Sequence, residues 1–214
     1  MGKAGTSPSR VVKHGSGPAP PASSETAEKI LDLAEMLIQT RGCNAFSYQD
    51  IADVLKIRKA SIHYHFESKT ELVIAVLDRY TAKFEKALDE IAGDETASSM
   101  AMLEHYTAPY VAFAATPDRV CLCGALSGEI LALPSALRDR VALFFRSHQR
   151  WLKRILARGV ARGEFALADS TDKTARLIFG ALQGALLVQR TTGDSSQLKD
   201  VISALKSQLR AAHS

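Results

Sequence analysis

The sequence predicts an all-α fold made of a small N-terminal helical unit and a larger C-terminal bundle. Three observations predict it. From Glu25 onward nearly every segment spaces its apolar residues three to four apart, no run shows the period-two alternation of a strand, and serine-led helix starts stand at Ser47 and Ser68. The first helix follows from Ile30, Leu31, Ala34, Leu37 and Ile38 and stops near Arg41, where Gly42 supplies the break. Ser47, with Asp50 three residues on, opens a short helix whose inner face is Ile51, Ala52 and Leu55. A second short stretch, 60–66, is too brief to stand alone and must pack on its neighbours. Ser68 and Glu71 read as a full capping box opening a long helix over 69–91, which Gly93 and Asp94 end. Five apolar-rich helices are then expected over 97–116, 119–133, 135–162, 171–191 and 195–211. They are separated at Thr116-Pro117-Asp118, Pro134, Gly163 and Gly193-Asp194. No internal repeat of fixed period is visible.

Composition narrows the function classes. With 46% hydrophobic and 23% charged residues among 214, the chain reads as a folded globular protein. Every long apolar stretch is interrupted by charge before it could span a bilayer, so no membrane helix is expected. Residues 1–23 are rich in Pro, Gly, Ser and Ala and carry Lys3, Arg10 and Lys13 without an acid. They lack a secretory core and are expected to form a disordered arm on a cytoplasmic protein. Three cysteines make neither a closed disulfide framework nor a zinc spacing, so free thiols, no metal and no cofactor are expected. Ser203 and Lys206 match SxxK by letter and Gly124 to Gly128 is not a nucleophile elbow, so no catalytic residue is assigned.

The net charge of +4 permits a polyanionic partner, and its placement is more informative than its size. In the helix-turn-helix over 46–69, Ile57, Ile62 and Phe66 anchor the turn and second helix. The outer side keeps Arg58, Lys59, Ser61, His63, Tyr64 and His65. Between Lys56 and Lys69 the only acid is Glu67. A helix bearing cations, short polar groups and flat rings suits a major groove, cations meeting phosphates and the others meeting base edges.

The string Ile62-His63-Tyr64-His65-Phe66-Glu67-Ser68-Lys69, followed by Leu72, resembles the DNA-binding domain of the TetR family of bacterial repressors. The resemblance is specific over about 25–80 and extends in length and helical layout to the remainder. It implies a helix-turn-helix domain over 24–69 and a ligand-binding and dimerisation domain over 70–214. It also implies base reading by Gln49, Lys59, Ala60 and His63, and phosphate contacts from Ser47, Tyr48, Tyr64, His65 and Lys69, the last at the dipole end of a helix. Arg58 and Ser61 complete the expected DNA face. Two positions depart from the family pattern: Lys56 stands where Gly is usual in the turn, and His63 where Tyr is usual. Lys56 is either a tolerated turn residue or a further phosphate contact.

The resemblance implies a homodimer whose recognition helices lie about 34–36 Å apart on a pseudo-palindromic operator. Gly180, Ala181, Gly184 and Ala185 form a small-residue stripe, and Leu205 and Leu209 give the last helix an apolar side. These are the expected dimer residues. The family also implies a small-molecule inducer, for which His105, Tyr106, Tyr110, Phe113, Phe144, His148, Trp151, Phe179 and Gln183 are the candidate ligand residues. Cys121 is a further candidate. Its segment resembles a TetR branch that senses electrophiles through cysteine, and a helix start beside Arg119 would favour its thiolate. Cys121 and Cys123 are separated by about 200° on a helix and cannot act as one pair. Glu129, the odd charge in an apolar run, is expected to pair with Arg150 or Arg154 or to face solvent. The alternative reading is a helical small-molecule-binding module without sequence-specific DNA binding.

Overall fold

The computed structural model describes Met1 and residues 21–116 and 118–209, with side chains from Glu25. The expected arm lies outside the described residues from 2 to 20, and the first helix already begins at Pro21. Nine α-helices are present among the described residues, with no strand. They are α1 (Pro21–Arg41), α2 (Tyr48–Leu55), α3 (Lys59–His65), α4 (Lys69–Gly93), α5 (Ser99–Ala114), α6 (Leu122–Gly128), α7 (Ser135–Ala161), α8 (Thr171–Thr192) and α9 (Gln197–Leu209).

The expected capping chemistry holds at Ser47 and in part at Ser68. At Ser47 the box is complete: the Ser47 amide donates to Asp50 Oδ2 at 2.7 Å, and Ser47 Oγ caps the first turn of α2. At Ser68 only half forms. Glu71 N donates to Ser68 Oγ, while the Glu71 carboxylate accepts from the amide of Glu67 instead. Either arrangement satisfies amides that a helix start leaves open.

In the head, α1, α2 and α3 close around Ile30, Ala34, Ile38, Ile51 and Ile62, all essentially inaccessible to solvent. Helix α4 belongs to both units. Its first turns bury Leu72, Val73 and Val76 against the head, and its last buries Leu88 in the bundle of α5, α7, α8 and α9. Trp151 locks that end, donating from Nε1 to the Leu88 carbonyl at 2.9 Å and stacking on Tyr106 with ring centroids 5.2 Å apart. Arg158 and Arg162 then donate to the carbonyls of Glu95 and Ala97 in the connection that follows α4.

One expected helix is much shorter than predicted. The segment 119–133 folds as the seven-residue α6 followed by a 3-10 turn at Ile130–Ala132, because Gly128 weakens the continuation and Pro134 forbids it. Glu129, at this break, pairs with neither arginine: its Oε2 accepts from the backbone and side-chain amides of Asn44, in the loop between α1 and α2. Gly42 allows the approach, because with φ +94° it needs the left-handed region and a Cβ there would collide with Glu129 Oε1.

The turn between α2 and α3 rests on Lys56, the only described non-glycine residue with positive φ (φ 56°, ψ 40°). The left-handed region costs an L-residue about 1–2 kcal/mol, and glycine recovers part of this while adding entropy to the unfolded chain. Lys56→Gly is therefore expected to stabilise the protein by about 0.5–1 kcal/mol. Chemical denaturation should show a higher midpoint with unchanged slope; a lower midpoint would contradict a strained turn.

Candidate functional site

Two surfaces bring the predicted residues together, one on the head and one between head and bundle. On the head, Ile62 is buried and fixes the rotation of α3, leaving Arg58, Lys59, Ala60, His63 and Tyr64 exposed and Ser61 and His65 half-buried. No carboxylate lies on α3 itself. Gln49 is exposed beside it on α2, its Nε2 donating to Asp53 Oδ1 at 2.6 Å.

Three expected phosphate contacts are engaged internally. Tyr48 is buried, and its hydroxyl donates to the Phe66 carbonyl at 2.9 Å; burial first, then the Glu71 charge, pushes its ionisation up to about 12. Its ring meets the His63 ring edge-on at 4.8 Å, and His63 Nδ1 lies 3.1 Å from the Glu67 carbonyl oxygen. Tyr48 thus orients α3 from behind. The Lys69 ammonium donates to the Phe46 carbonyl and sits 4.2 Å from the Phe46 ring centre, tying the start of α4 to the loop before α2. Ser47 is exposed, but its hydroxyl bonds Asp50 Oδ2 at 2.6 Å, and those bonds hold the Asp50 carboxyl below its usual range.

The second surface is a cavity of about 390 Å³ between α1, α4, α5 and α7. His105, Tyr106, Tyr110, Phe113 and His148, five of the ligand candidates, line it. The other candidates form a layer behind that wall. Phe144 packs on His148 with ring centroids 4.2 Å apart, and Phe179 lies 5.8 Å from the same ring. Trp151 backs Tyr106, and Gln183 Nε2 donates to the Tyr110 hydroxyl at 3.2 Å. Cys121 caps α6 from a buried position, 3.6 Å from the Tyr80 hydroxyl, rather than at an open helix start.

Sequence reasoning missed Gln39, Tyr80, Lys83, Phe84 and Arg119, all of which line the cavity. It looked beyond α4 for ligand residues, whereas α4 is itself a wall. The spacing Tyr80, Phe84, Leu88 and Ile91, one helical face, was the available signal. Gln39 gave a weaker one as a lone polar residue closing an apolar α1 face; it is 1% exposed and its Nε2 has no hydrogen-bond partner.

The depth of the cavity is neutral. Burial lowers His148 to about 4 and raises Tyr80, Tyr106 and Tyr110 above the ordinary tyrosine range. Tyr106 Oη lies 3.1 Å from His148 Nδ1. Among the described residues no cluster of side chains is arranged to hold a metal ion.

Comparison with known proteins decides the family. Residues 30–76 match the family described as "Bacterial regulatory proteins, tetR family", and residues 99–205 match "Tetracyclin repressor-like, C-terminal domain". The chain belongs to the TetR family. A TetR-family regulator of known structure from Agrobacterium tumefaciens is 31% identical, covering 88% of this chain and all of that one, with a TM-score of 0.83. A regulator encoded in the lacX 3' region of Lactococcus lactis is 27% identical over 85% of this chain and 91% of its own length. The repressor DhaR of Mycobacterium sp. is 22% identical over 78% and 83%. TetR-family proteins are DNA-binding transcriptional regulators that bind small molecules and act as dimers. No helix among the described residues is long and apolar enough to cross a membrane.

His148 gives this TetR-family fold a pH dependence of defined sign. Its folded value lies below the unfolded one, near 6.5, so between about 4 and 6.5 the unfolded chain binds more protons and stability falls as pH falls. His148→Gln should reduce the loss of thermal midpoint between pH 7 and pH 5; an undiminished loss would place the acid sensitivity elsewhere.

Proposed function

We propose that the chain is a homodimeric repressor that reads a pseudo-palindromic operator with α3 and leaves it when a small molecule occupies the cavity between α1, α4, α5 and α7. The observation that carries this reading is the carboxylate-free exposed face of α3, packed on the α1 that joins α4 in walling the cavity. Lys59, Ala60, His63 and Gln49 read base edges, while Arg58, Ser61, Tyr64 and His65 approach the backbone with Ser47. Tyr48 and Lys69 serve by fixing the head, given their internal bonds.

The outer face of α8 supports the dimer. Leu177, Leu187 and Val188 are exposed large apolar residues, and a Cβ added at Gly180 or Gly184 would meet nothing within the subunit. Ala185 and Leu209, expected at that interface, are buried in the subunit core, because they point to the opposite sides of their helices; Leu205 is half-buried. The dimer face is therefore assigned to Leu177, Gly180, Ala181, Gly184, Leu187 and Val188.

A second route of release, modification of Cys121, has one observation in its favour. The Tyr80 ring lines the cavity and its hydroxyl contacts Cys121 Sγ, so a thioether adduct there would displace the wall. Cys43→Ser protein treated with N-ethylmaleimide should leave DNA, and Cys43→Ser/Cys121→Ser should stay; equal release from both would remove Cys121 from the mechanism.

Selection from random duplexes at about 150 mM salt, where non-specific phosphate binding is suppressed, should enrich an inverted repeat. Without enrichment from a folded dimer, a binding module lacking operator recognition becomes the better reading. On the selected site, Lys59→Ala should lose about 1–3 kcal/mol and relax preference at one position of each half-site. Arg58→Ala should weaken all sequences alike and lower the salt slope by about one. Gly184→Gln should leave the subunit folded but monomeric in sedimentation; a persistent dimer would move the interface off α8.

A further inference from the structure

We propose that the effector is a small carboxylate with an aromatic or short alkyl body, held with its body among Phe84, Tyr106 and Tyr110 and its carboxylate at Gln39, Lys83 and Arg119. This rests on the reading of the cavity as the effector site and names the chemistry that the site accepts.

The cavity is small for a ligand site, about 390 Å³ where such sites run to about 1,000 Å³. A one-ring or short-chain body fits within it. Its depth is aromatic and carries no charge: no carboxylate faces it there, and burial keeps His148 neutral and the tyrosines protonated. At that depth a cation would find no carboxylate, and any charged head placed there would lose its hydration.

The opposite end is polar and positive. There the cavity meets a groove of about 400 Å³, and the two share Glu35, Gln39, Tyr80, Lys83 and Arg119. Lys83 projects from α4 and Arg119 from the connection before α6. Neither has an ion-pair partner among the described residues, whereas Glu35 and Asp32 are both taken by Arg79, at 3.1 and 2.8 Å. The lining of the groove thus sets Asp32 and Glu35 against Arg79, Lys83 and Arg119, an excess of one positive charge at the junction. Gln39 adds the decisive group. The residue borders both spaces, and its Nε2 is buried without an acceptor, so an oxygen-bearing ligand that reaches it satisfies an otherwise unpaired donor. An unsatisfied buried donor is costly, and a carboxylate takes charge-assisted bonds from an amide, an ammonium and a guanidinium together.

Regulation follows from where Gln39 stands. It belongs to α1 of the DNA-reading head, and its own carbonyl accepts from Arg190 of α8 at 3.4 Å. A carboxylate at Gln39 therefore bridges the head to α4 and to the connection before α6, and its arrival changes the forces on α1 directly.

The test uses the full-length protein, with benzoate, phenylacetate and hexanoate as probes, benzamide and benzylamine as charge variants, and indole as a neutral filler. Calorimetry should show the carboxylates binding about tenfold or more tightly than benzamide, with benzylamine weakest. Lys83→Gln/Arg119→Gln should lose about tenfold or more for the carboxylates and keep indole. Gln39→Leu should lose carboxylate affinity yet raise the thermal midpoint, since it removes an unsatisfied donor. Ala112→Trp, which adds a ring at a residue lining the cavity, should abolish every probe. Indole or benzamide binding as well as benzoate, with all lost in Ala112→Trp, would overturn the carboxylate assignment and leave the cavity as the effector site. Carboxylate binding that survives Ala112→Trp, or no probe binding at all, would overturn the cavity reading itself.

Discussion

Arg79 is the interaction on which the arrangement depends. From one guanidinium on α4 it reaches Glu28 and Asp32 at 2.8 Å and Glu35 at 3.1 Å, three carboxylates on one stripe of α1. Partial burial works against its charge, but the carboxylates outweigh that and raise its ionisation above the usual arginine value. A single exposed ion pair contributes little, whereas a fork shared among three partners fixes direction as well as distance. The fork sets the roll of α1 on α4. It also orients Asp32 and Glu35 toward its own guanidinium, which leaves Lys83 and Arg119 without a direct ion pair among the described residues. The same residue that seats the DNA-reading head also supplies one of the three cations that outnumber Asp32 and Glu35 at the mouth of the cavity.

Two smaller contacts complete the seam. Glu129, just past α6, accepts from both amides of Asn44, and Arg190 of α8 donates to the last carbonyls of α1 at Gln39 and Thr40. The head is thus held from α4, α6 and α8 at once. Each such hydrogen bond contributes about 0.5–1.5 kcal/mol net, more where one partner is charged. A release equilibrium moved from 1:99 to 99:1 needs about 5.5 kcal/mol of differential binding. A seam of a few charged contacts is on that scale: strong enough to define one orientation, weak enough for one ligand to shift.

The helix pattern was legible in the sequence because apolar spacing and capping are local. The face of α3 was legible for the same reason: Ile62 and Phe66 fix which side is buried, and the remaining side chains are cations, rings and a hydroxyl. What was not legible depends on distant partners. Glu129 read as an odd charge because Asn44 lies 85 residues away in sequence, and Tyr48 read as a phosphate donor because nothing local announces the Phe66 carbonyl. The cavity was half legible. Its aromatic wall on α5 and α7 showed as rings on apolar helices, but Gln39 and Lys83 acquire meaning only once α1 and α4 are laid side by side.

The small residues of α8 show how one helix serves two surfaces. Ala185 faces inward and lets α8 approach the bundle, while Gly180 and Gly184, around the helix from it, carry nothing outward at all. A stripe of this kind, flanked by exposed Leu177, Leu187 and Val188, suits a second backbone at close range rather than water. Close approach has a mechanical consequence. A helix seven residues long reads few bases, so in the proposed dimer operator affinity would depend on holding two heads at one spacing. Flat backbone contact fixes that spacing more firmly than long side chains would, since it leaves no rotamer freedom for the junction to relax into. In the proposed dimer, any shift of α1 against α4 would then reach the DNA as a change in head separation.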